Sequence, residues 1–237
     1  MAKRLYVSAV RAVRAPLRTT GILARLERSQ SRRAMWFRSL FAIYDLDDME
    51  RVGLPWWTFD AIEAVERHLG RGPTMRVFEY GSGASTIWLS KRAAKVVSIE
   101  FDSDWHARLS RKLLNADNVE LRLVPPSGSG TLASAKSGFE GQYFDDFVAA
   151  IESETEPFDV IVIDARAREA CLKVATPHLA KTGMIVFDDT NRRRYRAAID
   201  ASELKHRHFN GMAVSLPYAD STTLLAWASQ IIDGSTE

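Results

Sequence analysis

The chain has 237 residues, 46% hydrophobic and 26% charged, the balance of a soluble globular protein long enough for one α/β domain plus an appendage. Its net charge of +2 hides an asymmetry, because residues 1–38 carry ten Lys or Arg and one acid, Glu27, leaving 22 basic and 29 acidic residues elsewhere. The single cysteine, Cys171, excludes an intrachain disulfide, no Cys–His cluster has zinc spacing, and no apolar run reaches the ~18 residues of a membrane span.

With no signal-peptide core and cleavage site visible, the expected compartment is the cytoplasm. Residues 1–15 read as a basic helix ending at Pro16, with a break at Thr20-Gly21. Ile22 to Tyr44 resumes helical spacing through Leu23, Leu26, Met35, Trp36, Leu40 and Phe41, and Asp45 to Gly53 reads as a loop. Two readings of this extension, residues 1–53, stay open: an amphipathic helix packed on the body, or peripheral contact of residues 1–38 with an anionic membrane. Residues 54–237 form the second unit. It starts with a helix that has Thr58 as N-cap, Ile62, Val65 and Leu69 on one face, and Gly70 at its stop. The adjacent Trp56 and Trp57 either wedge the extension onto the core or wall a ligand site.

The stretch from Met75 to Asp102 organises the rest. Met75–Tyr80 suits a buried parallel strand, Gly81-Ser82-Gly83 breaks it, Ala84–Lys91 is helical, and Val96–Ile99 is a second strand ending on Glu100. Strand, glycine turn, helix, strand, acid is the pattern of a nucleoside-binding βαβ unit. Its glycines admit a ligand close to the backbone, and the helix N-terminus faces that ligand. Glu100, 19 positions after Gly81, can accept hydrogen bonds from both ribose hydroxyls. A dinucleotide fingerprint would need a third glycine where Thr86 stands. Glu79 before the turn would repel a diphosphate but could hold an ammonium group. S-adenosylmethionine, with an ammonium, a ribose and no phosphate, fits these residues best.

Trp105–Leu114 reads as a helix and Val119–Val124 as a third strand. Residues 126–140 are rich in Ser and Gly and look mobile, either a lid near the adenine end or a surface loop. Tyr143–Ile151 reads as a helix, Phe158–Ile163 as a strand ending at Asp164, and Ala165–Thr176 as a helix closed by Pro177. Cys171 in that helix reads as packing. After a turn at Lys181–Gly183 comes a fifth strand, Met184–Phe187, ending in Asp188-Asp189, then a basic helix over Arg192–Ile199. Leu204–Leu216, which holds His206 and His208, and Thr222–Ala228 read as an antiparallel pair of strands. The result is a mostly parallel sheet.

Acids thus sit at successive strand ends: Glu79, Glu100, Asp164, Asp188 and Asp189. Ligands of open α/β sheets bind outside those ends. A lone such acid can be a helix N-cap, worth about 1 kcal/mol. Several on one edge point to a site. The set resembles the class I S-adenosylmethionine-dependent methyltransferases over roughly residues 54–230. EYGSGAST resembles their first motif, SIEFD the ribose-binding acid, FDVIVIDA the fourth-strand motif, and LAKTGMIVFDD the fifth-strand motif. With PWWT, IDARARE and FDDTNRRRY, the arrangement is most similar to a bacterial subgroup of small-molecule methyltransferases.

The resemblance implies a Rossmann-like seven-stranded sheet of order 3-2-1-4-5-7-6 with the last strand antiparallel. It implies that the cofactor contacts Glu79, Tyr80, Gly81, Ser82, Gly83, Ser85 and Thr86, then Glu100, Phe101 and Asp164. In the catechol O-methyltransferase branch, an acid after the fourth strand and an Asp-Asn pair after the fifth hold a divalent metal. Here Asp164 and Asp188 match, and Asp189 replaces the Asn, a set suited to Mg²⁺ or Mn²⁺. Without metal, Asp164 or Asp188 could serve as general base. Arg166, Arg168, Arg192, Arg193 and Arg194 either bind an anionic acceptor or are solvated. The Asn-Pro-Pro-Tyr type motif of amino-group methylation is absent, so the expectation is O-methylation of a small-molecule or glycan-type acceptor. The rival readings are a nucleic-acid methyltransferase anchored by the basic arm, an NAD(P)-dependent oxidoreductase, and a non-catalytic cofactor-binding module.

Overall fold

The computed structural model describes residues 2–29, 31–43, 45–134, 136–228 and 232, with side chains from residue 8 onward except residue 11. Tyr44, the expected end of the second helical stretch, lies outside them, as does Ala135 in the Ser/Gly-rich segment. No helix among the described residues is long and apolar enough to cross a membrane.

The extension is more segmented than its periodicity suggests. Helix α1 (Ala2–Thr19) runs past Pro16, since that residue's carbonyl accepts from Thr20 N (3.1 Å) and from the Thr19 and Thr20 hydroxyls, sealing the last turn. The expected long helix is instead α2 (Ile22–Glu27), α3 (Arg32–Ser39) and a 3-10 turn, Leu40–Ala42. The stretch read as a loop is a helix, α4 (Leu46–Val52). Asp45 caps it by accepting from Asp48 N at 3.0 Å, and Gly53 ends it at φ 63°. Asp48, almost fully buried, draws Arg14 (2.9 Å), Arg38 (3.3 Å) and Arg18 (3.4 Å) onto this helix. Arg32 pairs with Asp60 and Glu63 of the following helix. Part of the basic excess of the arm is therefore discharged against acids of the body.

Helix α5 (Phe59–Leu69) begins after Thr58, which occupies the cap position without a capping bond; its backbone N–H donates to Thr222 Oγ1 at 3.0 Å. Then follow β1 (Arg76–Tyr80), α6 (Ala84–Ser90), β2 (Lys95–Glu100), α7 (Ser103–Lys112), β3 (Val119–Leu123), α8 (Asp145–Ala149) and a 3-10 turn, Ala150–Ser153. Next are β4 (Phe158–Ile163), α9 (Arg168–Ala175), β5 (Leu179–Phe187), α10 (Arg193–Asp200), β6 (Lys205–Met212) and β7 (Ala219–Ala226). Among the described residues, seven strands form one sheet of order β3-β2-β1-β4-β5-β7-β6. β1 to β5 pair in parallel and β7 runs antiparallel to both neighbours, as the resemblance implies.

The central strands are buried on both faces, so period-two alternation sorts their side chains between two cores. Phe78, Tyr80, Ile161, Ile163 and Phe187 pack under α8, α9 and α10, whereas Val77, Val160, Val162 and Val186 pack with Trp57, Trp88 and α5. Cys171 is fully buried in the first core, and burial pushes its thiol up, so it packs. The turn expected at Lys181–Gly183 lies inside β5, where the register shifts opposite Phe158–Val160 and Gly183 passes beneath the Phe158 carbonyl. Helix α9 starts three residues late because Ala167 is left-handed (φ 49°), and Tyr143 bridges to Ser127 and Ala133 instead of joining α8. Both differences bear on the site.

Candidate active site

A cleft of about 510 Å³ lies outside the carboxyl ends of the parallel strands. Gly81, Ser82, Gly83 and Ser85 form one wall, Glu100 and Phe101 a second, and Asp164, Asp188 and Asp189 a third. Nine of the residues expected from sequence therefore share one cavity. Gly81 is the narrow point: at φ 95°, a Cβ there would meet the Asp164 carbonyl at 2.6 Å. Only glycine lets the β1 and β4 ends approach this closely while leaving a turn open to a ligand.

Three expected contacts lie elsewhere. Glu79 is fully buried beneath the turn, where its Oε2 accepts from Thr86 Oγ1 (2.5 Å) and Ser98 Oγ (2.6 Å). Thr86 Oγ1 also accepts from Gly83 N at 2.8 Å, so the residue in the third-glycine position is a clasp that shapes the turn from below. Burial pushes the Glu79 carboxyl up to about 7, against the Ser85, Ser98 and Thr86 hydroxyls that pull it down. Tyr80 turns its ring into the core and donates its hydroxyl to Val148 O at 2.9 Å; its backbone alone reaches the site edge, accepting from Asp164 N.

Glu100 is nearly enclosed and holds four donors. Its Oε2 accepts from Ser82 N (3.2 Å) and Ser82 Oγ (2.7 Å), and its Oε1 from Phe101 N (2.8 Å) and Asp102 N (2.9 Å). Burial raises its pKa, and those bonds oppose the rise. Trp105 Nε1 donates to Ser82 O at 2.9 Å and fixes the turn from the far side. Beyond Phe101, the Ser/Gly-rich segment is strapped down: Ser127 pairs with Tyr143, Asp145 accepts from Thr131 and Leu132, and the Phe139 ring meets Phe101 edge-on at 5.7 Å. The Arg166 guanidinium lies over both rings, 5.6 Å from Phe101 and 5.2 Å from Phe139.

At the third wall, Arg168 is buried. Its Nε donates to Ala165 O (3.1 Å), its Nη1 to Asp188 O, and its Nη2 to Asp164 Oδ1 (2.7 Å). Asp188 Oδ1 accepts from Thr222 Oγ1 (2.7 Å), and Asp189 pairs with Arg192 at 2.5 Å. Burial raises the pKa of Asp164 against the pull of Arg168, and raises that of Asp188 further, with the Asp164 charge adding to it. Asp220 closes the wall, accepting from Asn191 Nδ2 (2.9 Å) and Ser221 N, and burial raises its pKa too. The non-glycine residues with positive φ among those described are Ala167, Asp189 and Ser215, each on a loop bordering this cleft.

No protein-family model matches the sequence, and no curated protein does. Solved structures share the architecture. An O-methyltransferase from Bacillus cereus in complex with SAH superposes with a TM-score of 0.55 at 17% identity, covering 93% of this chain and 99% of that one. An rRNA methylase from Streptococcus thermophilus superposes with a TM-score of 0.50 at 11% identity, covering 70% and 94%. The chain has the class I methyltransferase fold.

On this methyltransferase fold, the residues fit S-adenosylmethionine better than a divalent metal. The turn pinched at Gly81 and the acid at the tip of β2 suit a ribose-bearing ligand, whereas Glu79, buried beneath the turn, does not line the cleft. The expected metal set does not converge: among the described residues no group of three or more His, Cys, Asp or Glu could hold an ion. Arg168 Nη2 stands between the carboxylates instead, 2.7 Å from Asp164 and 3.7 Å from Asp189. From sequence Arg168 reads as an anion binder or a solvated charge, because the left-handed Ala167 that turns it inward has no sequence signature. Arg192 is likewise engaged, and Arg194 pairs with Glu169 at 3.3 Å. Asp220, Trp105 and Met49 were not foreseen as cleft residues. The two tryptophans divide the roles proposed for them, with Trp57 fully buried against Trp88 and Trp56 lining the cleft.

Proposed function

We propose that the protein is an S-adenosylmethionine-dependent methyltransferase that acts on a hydroxyl of a small-molecule or glycan-type acceptor. The observation that carries the reading is the junction at Gly81, where the β1 and β4 ends close to van der Waals limits beside Glu100 and the open face of Asp164. Glu100 takes the ribose hydroxyls, the Gly81–Gly83 turn the amino-acid portion, and Phe101 the adenine. S-adenosylmethionine supplies an electrophilic methyl group whose leaving group is a neutral thioether. The chain's own task is then to align the acceptor and to remove its proton. Asp164 suits the second role: Arg168 fixes its Oδ1, and no hydrogen bond among the described residues occupies its Oδ2. Its raised pKa makes it a better base than an ordinary surface carboxylate. Asp188, on the neighbouring strand end, is the second candidate base. For a dinucleotide, the Thr86 hydroxyl fills the space that a third glycine would leave.

Calorimetric titration of S-adenosylhomocysteine into wild type and Glu100→Ala tests this reading. Micromolar binding that weakens at least tenfold in the variant, a loss of about 1.4 kcal/mol or more, is expected. Absence of binding to the wild type would overturn the function. Binding without transfer to any hydroxyl acceptor would point to a cofactor-holding module.

A further inference from the structure

We infer that Arg168 is a built-in cation, a positioning residue occupying the point between the β4 and β5 ends where a divalent ion would otherwise be held. Three features carry this. First, the guanidinium is buried and bridges the two strand ends through side chain and main chain at once: Nη2 to Asp164 Oδ1, Nη1 to the Asp188 carbonyl, and Nε to the Ala165 carbonyl. Second, the local backbone is bent to put it there. Ala167 adopts φ 49°, a left-handed conformation that a Cβ disfavours, and this makes Arg168 the first residue of α9, aimed back across the loop. Third, Nη2 already lies 2.7 Å from Asp164 and 3.7 Å from Asp189, two of the three carboxylates expected to hold a metal. A divalent ion binds carboxylate oxygens at 2.0–2.6 Å and cannot share that point with a guanidinium.

The consequence for chemistry rests on the proposed methyl-transfer reading. The fixed guanidinium has three of its five N–H donors committed to the strand ends and, unlike a metal ion, offers no vacant coordination position, so an acceptor need not chelate through two adjacent oxygens. It meets Asp164 Oδ2 and Asp188 Oδ2 instead, which carry no hydrogen bond among the described residues. A single hydroxyl is enough. This separates the acceptor class from catechol-like diols.

The test needs no acceptor and no turnover. Mn²⁺ is titrated into the full chain and followed by the loss of its free-ion electron paramagnetic resonance signal, for wild type, Arg168→Gln and Arg168→Lys. Removing the charge leaves Asp164 and Asp188 without the cation that bridges their strand ends, while Asp189 keeps its pair with Arg192. Arg168→Gln should therefore bind one Mn²⁺ at least tenfold more tightly than wild type, and Arg168→Lys, which keeps the charge, should not. A disrupted fold alone would not create a saturable site that the lysine variant lacks. Saturable Mn²⁺ binding by wild type that is lost in Asp188→Asn would overturn the inference, whether or not Arg168→Gln folds. A folded Arg168→Gln with no gain in Mn²⁺ affinity would overturn it as well. Glu100→Ala with S-adenosylhomocysteine remains the separate test of the cofactor site, so the two failures are distinguishable.

Discussion

Two buried charge clusters in this molecule are near mirror images. In the extension, Asp48 is the centre and arginines surround it: Arg14 and Arg18 from α1, Arg38 from α3, and Arg51 of its own helix at 4.0 Å. At the cleft, Arg168 is the centre and the acids Asp164, Asp188 and Asp189 surround it. The first cluster joins α1 to a helix 30–34 residues further along the chain, and none of its residues lines the cleft. Its cations lead outward to further acids, with Arg14 reaching Asp45 and Arg38 reaching Glu27, both at 2.7 Å. The second joins the ends of two strands beside a cleft lined by Asp164, Asp188, Asp189 and Asp220 together with Arg166, Arg168 and Arg192, and there Asp164 Oδ2 and Asp188 Oδ2 accept no hydrogen bond among the described residues. The surplus of open carboxylate oxygen, rather than burial or pairing, separates a reactive edge from a fastening.

That contrast can be broken in graded ways. The largest effect is expected at Asp48. Asp48→Ala removes the acid shared by Arg14, Arg18 and Arg38, leaves the buried Arg38 with Glu27 as its acid partner, and should cost about 3 kcal/mol, lowering the unfolding midpoint by about 10 °C in scanning calorimetry. If Asp48 is only a fastening, S-adenosylhomocysteine affinity at a temperature where the variant stays folded should change far less than in Glu100→Ala. An equal loss of affinity would erase the distinction between the clusters.

Glu79 offers a third case, a buried acid with no cation paired to it. Its pKa is raised to about 7, so the stability gained by keeping the carboxyl neutral is fully present below about pH 4.5 and is lost as pH rises through 7. Urea unfolding between pH 5 and 8 should show wild type weakening relative to Glu79→Gln, by up to roughly 3 kcal/mol at the alkaline end. Parallel profiles would mean that a hidden partner already compensates the charge.

The smallest effect concerns the arm. Arg25, Arg28 and Arg33 are exposed and make no ion pair among the described residues. If they face an anionic membrane, replacing all three by Glu should reduce co-sedimentation with phosphatidylglycerol vesicles several-fold and leave the negligible binding to phosphatidylcholine unchanged. Equal partitioning would make the extension a packing element throughout.

The sheet was legible because β1, β2, β4 and β5 hold short, largely apolar runs that stop at a glycine or an acid, β3 alternates charged and apolar residues before Pro125, and β6 and β7 follow a change in pattern. Strand-end acids were legible for the same reason: the end of an apolar run can be read without knowing its neighbours. What escaped were features set by single backbone angles. Ala167 at φ 49° decides where α9 begins and where Arg168 points, yet an alanine there reads as helix. Asp220 was hidden because its wall assembles only when β7 returns beside β5. The helix at Leu46–Val52 was readable, since Asp45 and Gly53 mark its two ends, but its acidic sequence looked like a solvated loop.

The four hydrogen bonds to Glu100 bear on how a ligand enters. A carboxylate offers about four acceptor sites, and here Ser82 N, Ser82 Oγ, Phe101 N and Asp102 N take them all. On the proposed cofactor reading, an arriving ribose hydroxyl has to replace a bond, and the bond that can yield by a single side-chain rotation is the Ser82 hydroxyl at 2.7 Å. Binding at this tip is an exchange reaction. Its net gain is the difference between two similar hydrogen bonds, and the Ser82 rotamer is the gate through which that exchange must pass.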